Sequence, residues 1–157
     1  MNKTLSLFLA LSFLYACGNQ NGSNSSSATD NVSNASGNAN PSYDPQRGEG
    51  KFSKVKVENT IDEKVVLNGS KVYAVKCSAC HKLTSEKLVG PGWKDVTKRY
   101  KPEWIMNFVT NTDAMLNKDP KAQAQLEICL VRMPNQNVSD DDARNVYEFM
   151  RKNDSKK

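Results

Sequence analysis

Histidine is nearly absent from these 157 residues: His81 is the only one. Any site built on two imidazoles is thereby excluded. Long apolar runs are missing too. The longest, Leu5 to Ala16, is broken by Ser6 and Ser12. It falls short of the roughly 20 apolar residues that span a bilayer. No internal repeat is present. Acidic residues are scarce in one region. Between Lys64 and Lys101, nine basic residues face only Glu86 and Asp95, while the whole chain carries a net charge of +5. That region alone more than accounts for the positive excess.

Cysteine is sparse as well, yet two of the four cysteines closely precede the histidine in Cys77-Ser78-Ala79-Cys80-His81. Cys-x-x-Cys-His is the attachment signature of c-type haem. Two thiols one helical turn apart each form a thioether to a haem vinyl group, and the adjacent imidazole projects onto the iron. Other readings of these residues compete. A zinc site could draw on Cys77, Cys80, His81 and Cys129, but the adjacency of Cys80 and His81 strains tetrahedral ligation and no second ligand pair exists. A thioredoxin-like redox pair wants a βαβ context, which the sequence does not show. A disulfide across two intervening residues would be strained. One covalent haem c is the expected cofactor, with His81 as an iron ligand and a second ligand that is not histidine.

The chain opens like an exported protein. Lys3 precedes the apolar run, the layout of a secretory signal over residues 1–16. Leu14-Tyr15-Ala16-Cys17 resembles a bacterial lipobox, which implies cleavage after Ala16 and lipidation of Cys17, although Tyr15 is bulkier than usual at its place. The alternative is ordinary cleavage that leaves a free cysteine. More than one acyl chain anchors stably. Haem is attached to such motifs on the exported side of the membrane, so both signals agree. The expected location is lipid-anchored on a bacterial membrane, with the functional domain in the periplasm or on the cell exterior. Residues 17–50 are dominated by Asn, Ser and Gly and cannot offset their ordering entropy, so a disordered tether spanning about 30 Å is expected. Residues 51–157 are expected to form one small domain, with Trp93 and Trp104 available to pack around a haem.

The domain reads as all-α. Lys54 to Glu58 alternates and suggests a short extended arm. Thr60 and Glu63 read as a capping box for a first helix that runs to the haem motif. Gly69 inside it suggests a close crossing by another helix. Gly90-Pro91-Gly92 is a loop. Pro102 starts a helix to about Val109, and Pro120 starts another through Cys129. Ser139, followed by Asp140, Asp141 and Asp142, caps a last helix carrying Ala143, Val146, Tyr147, Phe149 and Met150. Met106 and Met150 fall on helices, and Met115 in a loop or short helix. Met133 precedes Pro134, which holds it extended and able to present a thioether from a loop.

A helix leading into Cys-x-x-Cys-His, a Gly-Pro loop, a Met-Pro pair and a capped aromatic last helix together resemble a class I cytochrome c from about Glu63 to Lys152. The resemblance implies a small cytochrome c fold around one covalent haem. It implies that Met133 is the second axial ligand, with Met106, Met115 and Met150 as the other candidates. It also implies that the Pro91 carbonyl accepts a hydrogen bond from His81, and that Gly69 meets Tyr147 where the first and last helices cross. Cys129 is left without a partner. The long segment 111–132 resembles, loosely, monohaem cytochromes found with nitrous oxide reductase. The expected function is a membrane-tethered, monomeric single-electron carrier. It would deliver electrons to an acidic redox partner such as a terminal oxidase or reductase, with no nucleic acid involved. The alternatives are a haem enzyme or gas sensor with a labile sixth ligand, and a fixed subunit of a respiratory complex.

Overall fold

The first and last helices cross at Gly69. These are α1, Glu63–Lys76, and α6, Asp140–Asp154. A Cβ at Gly69 would overlap the backbone carbonyl of Asn145 and crowd the Phe149 side chain. The crossing is as close as expected, and the atoms nearest Gly69 belong to Asn145 and Phe149 rather than to Tyr147. The reason is helical periodicity: residues four apart share a face, and the residue midway between them points away.

The computed structural model describes residues 43–156. The signal segment 1–16, Cys17 and the tether as far as residue 42 lie outside the described residues. Between the two crossing helices come α2 (Val96–Arg99), α3 (Pro102–Thr110), α4 (Thr112–Lys118) and α5 (Pro120–Cys129). The described residues contain no strand, in agreement with the all-α expectation.

Helix starts follow local chemistry. Ser139 caps α6 by accepting from Asp142 N, and three aspartates occupy its first turn, where they meet the positive end of the helix dipole. Pro102 and Pro120 sit at the starts of α3 and α5. The expected Thr60–Glu63 capping box does not form. Asp62 caps α1 instead, accepting from Lys64 N at 2.8 Å. Its short carboxylate already stands beside the first free amide, and Glu63 pairs with Lys152 on α6.

The packed chain begins by Tyr43, eight residues before the boundary expected at Lys51. The segment 43–57 lies across α3, α4 and α5. Asn107, fully buried in α3, donates from Nδ2 to the carbonyls of Arg47 and Phe52, both at 3.0 Å. Its Oδ1 accepts from Phe52 N at 2.9 Å. Val55 N donates to Glu103 Oε1 at 2.7 Å. Gly48, at φ +70°, passes so close to Met115 that a Cβ would strike its sulfur. Tyr43 donates its hydroxyl to Asp119 Oδ2. Asp119 is itself buried; it accepts from Trp104 Nε1 at 3.0 Å and caps α5 through Ala122 N at 2.8 Å. The polar part of the segment, residues 43–50, is thus held by buried amide and carboxylate partners, while Phe52, Val55 and Val57 pack partly buried against the core. Composition alone could not reveal that.

Candidate haem site

The motif lies just past α1. Cys77 is its C-cap and donates its N–H to Tyr73 O at 3.0 Å. The chain then coils once more, with Cys80 N and His81 N both donating to Cys77 O, at 3.1 and 2.9 Å. This is the single turn that the two-thiol spacing requires. The Tyr73 hydroxyl donates to His81 O at 2.7 Å and fixes the far end of the turn.

His81 is buried, and its Nδ1 lies 2.8 Å from Pro91 O. A carbonyl only accepts, so Nδ1 carries the hydrogen and Nε2 is the ring's lone-pair nitrogen. Burial pushes the His81 pKa below its ordinary value, against the opposing pull of the Pro91 hydrogen bond. The imidazole is therefore held neutral and suited to a metal. Gly90 lies under the ring, where any Cβ would overlap it. Trp93 packs beside it, with centroids 5.5 Å apart.

Cys80, His81, Pro91 and Met133 border one cavity of about 460 Å³. Ile105, Phe108, Val109, Leu126 and Met150 supply apolar wall. Cys77 is not on that wall. It packs in the core one turn away, where burial pushes its thiol up to about 11. Of the other methionines, Met106 is a core residue. Met115 is fully buried, and its sulfur accepts from Glu49 N at 3.0 Å. Met150 shares the cavity wall but projects from α6. Cys129 also borders the cavity and forms no disulfide among the described residues.

Sequence reasoning named Gly90 only as part of a loop and missed Asn107 and Asp119. Asn107 carried a signal: a polar side chain between Met106 and Phe108 in an apolar helix. Asp119 before Pro120 carried another, a capping residue ahead of a helix-starting proline.

The donor set fits a haem: a thiol on the wall, a second one turn back, an imidazole with Nε2 as its lone-pair nitrogen, and a thioether on the same apolar cavity. A small helical shell with this site defines an electron-transfer protein with covalent haem. The chain belongs to the cytochrome c family, whose profile matches residues 66–154. It is similar to the solved cytochrome c from Rhodothermus marinus, at 30% identity over 67% of this chain and 90% of that one, with a TM-score of 0.65. An engineered cytochrome c from the same organism is 28% identical over 72% of this chain and 100% of that one, with a TM-score of 0.68. That engineered protein has also been solved bound to a carbene intermediate, at a TM-score of 0.65. No curated protein sequence matches the chain. The protein thus carries covalently bound haem c and acts as a haem-based electron carrier.

Proposed function

We infer that the protein is an exported, membrane-tethered carrier of single electrons in which Cys77 and Cys80 hold the haem through thioethers and His81 and Met133 ligate its iron. The observation that carries this reading is that Met133 and His81 border one cavity, with the other ring nitrogen of His81 committed to Pro91 O. Bound there, the haem supplies a one-electron couple whose potential methionine–histidine ligation raises. Pro91 orients the imidazole and raises its basicity, as hydrogen-bond partners of metal-bound histidines do. The apolar wall excludes water. With His81 and Met133 both committed to the iron, no place would remain there for a substrate, which favours a carrier over an enzyme.

Charge favours an acidic redox partner. Both acidic residues of the segment 64–101 are consumed within it, Glu86 by Lys82 at 2.7 Å and Asp95 by Lys98 at 2.5 Å. The other basic residues there remain to attract an acidic surface, such as that of an exported terminal oxidase or of a reductase like nitrous oxide reductase. No helix among the described residues is long and apolar enough to cross a membrane, so the anchor in this reading is lipid on Cys17. The test is stopped-flow oxidation of the reduced holoprotein by such partners, together with its reaction with carbon monoxide and peroxide. Fast electron transfer and inertness to both small molecules are expected. Tight carbon monoxide binding or rapid peroxide turnover would replace this reading with a haem enzyme or sensor.

A further inference from the structure

Met133 is carried by a part of the fold with few attachments. It follows α5, and of the other described helices α5 packs closely only on α4. Leu126, Cys129, Arg132 and Met133 nevertheless border the cavity. Where that wall stands depends on how α5 is fastened to the rest of the fold. Beyond α5 the tie is a surface one: Arg132 pairs with Asp113 at 3.0 Å, with both side chains exposed, and exposed pairs hold weakly.

The firm fastening is Asp119, fully buried between the end of α4 and the start of α5. Its two carboxylate oxygens take three donors from three parts of the chain. Oδ1 accepts from Ala122 N at 2.8 Å, in the first turn of α5. Oδ2 accepts from Trp104 Nε1 at 3.0 Å and from the Tyr43 hydroxyl. Trp104 borders the same cavity from α3 and is itself fixed, stacking with Tyr100 at 4.1 Å and with Phe108 at 5.2 Å between centroids. Asp119 thus ties the start of α5 to another wall of the cavity and to the N-terminal segment.

A helix cap alone does not need this carboxylate, because asparagine caps as well as aspartate. The indole excludes it. With its oxygen on Ala122 N, an amide would turn its NH2 toward the indole N–H, which cannot accept. With its oxygen on the indole, the NH2 would face the Ala122 N–H. Only a carboxylate satisfies both. Ten helical residues then carry the position of Asp119 toward Met133 as a rod of about 15 Å.

Resting on the carrier reading above, we propose that Asp119 is a positioning residue for the iron ligand Met133, with Tyr43 of the N-terminal segment and Trp104 of the cavity wall as its anchors. Asp119 does not border the cavity and acts through α5.

The experiment uses the holoprotein and two readouts. One is the methionine–iron charge-transfer band of the oxidised form. The other is the rate at which the reduced form binds carbon monoxide, which requires Met133 to leave the iron. The variants are Asp119→Asn and Tyr43→Phe. Gly69→Ala is the control, since it loosens the crossing of α1 and α6, in which α5 takes no part. Guanidinium brings every protein to the same unfolding free energy, so a general loss of stability acts on all alike. Asp119→Asn is expected to weaken the band and to bind carbon monoxide at least about tenfold faster than Gly69→Ala, the equivalent of one buried hydrogen bond lost. Tyr43→Phe keeps two of the three bonds and should fall between them. Equal bands and equal rates in Asp119→Asn and Gly69→Ala would overturn the positioning role while leaving the carrier intact. Where Asp119→Asn holds no folded haem, Tyr43→Phe decides: a rate above that of Gly69→Ala upholds the proposal, and an equal rate overturns it. A wild type that lacks the band and binds carbon monoxide tightly would overturn the carrier reading, and this proposal with it.

Discussion

The imidazole of His81 rests on Gly90, the residue before the proline whose carbonyl it meets at 2.8 Å. The contact leaves no room for a side chain. Gly90→Ala is therefore expected to push the ring away from the Pro91 carbonyl, change the absorption spectrum of the holoprotein and lower its Tm. A variant whose spectrum, potential and Tm equal the wild type's would show that the ring is not held there.

Gly69→Ala tests the crossing of α1 and α6. Its new Cβ overlaps a backbone oxygen, which cannot rotate away, so the helices must part. Overpacking of this kind costs about 1–3 kcal/mol. Guanidinium unfolding of the holoprotein should show that loss as a lower midpoint. An unchanged midpoint would contradict the close contact.

Tyr43→Phe removes the hydroxyl that donates to buried Asp119. Asp119 keeps its bonds from Trp104 and Ala122, so the expected loss near neutral pH is about 1–2 kcal/mol. The pH dependence has a definite sign. Burial first, then the Asp119 hydrogen bond and charge, push the Tyr43 pKa above its ordinary 10. The native state thus keeps a proton that the unfolded chain releases, and stability falls as pH rises past about 10. Tyr73 and Tyr147 are shifted in the same direction, chiefly by burial. Unfolding free energies measured from pH 8 to 11 should therefore decline less steeply in Tyr43→Phe, without becoming flat. An identical decline would remove Tyr43 from the account.

Much of this was legible in the sequence because the signals were local. Pro102, Pro120 and Ser139 start their helices where their chemistry demands, and Cys77 to His81 form the expected turn. Pro91 is where the resemblance put it. What escaped depends on distant partners. The cap fell to Asp62, directly before the helix, while Glu63 turned to Lys152, a residue far along the chain. The segment from Tyr43 to Gly50 looked like tether because its anchors, Asn107 and Asp119, lie on α3 and before α5. Gly69 announced a crossing, but only the relative rotation of α6 chose Asn145 and Phe149 over Tyr147.

The basic segment makes its own prediction. Lys94→Glu should slow oxidation of the reduced holoprotein by an acidic redox protein at low salt. The effect should fade as salt approaches physiological strength, where screening acts over about 8 Å. Lys87→Glu should behave likewise. Lys82→Glu also frees Glu86 from its exposed pair, so it should slow the reaction at least as much. Stopped-flow rates across a salt series check all three. Rates independent of salt in every variant would reduce the basic surface to solvation.

The central claim is that His81 and Met133 would both ligate the iron, and the methionine–iron charge-transfer band of the oxidised holoprotein tests it most directly. The wild-type holoprotein should show that band, and Met133→Ala should lose it while Met150→Ala keeps it. A band that survives in Met133→Ala and disappears in Met150→Ala would contradict the account.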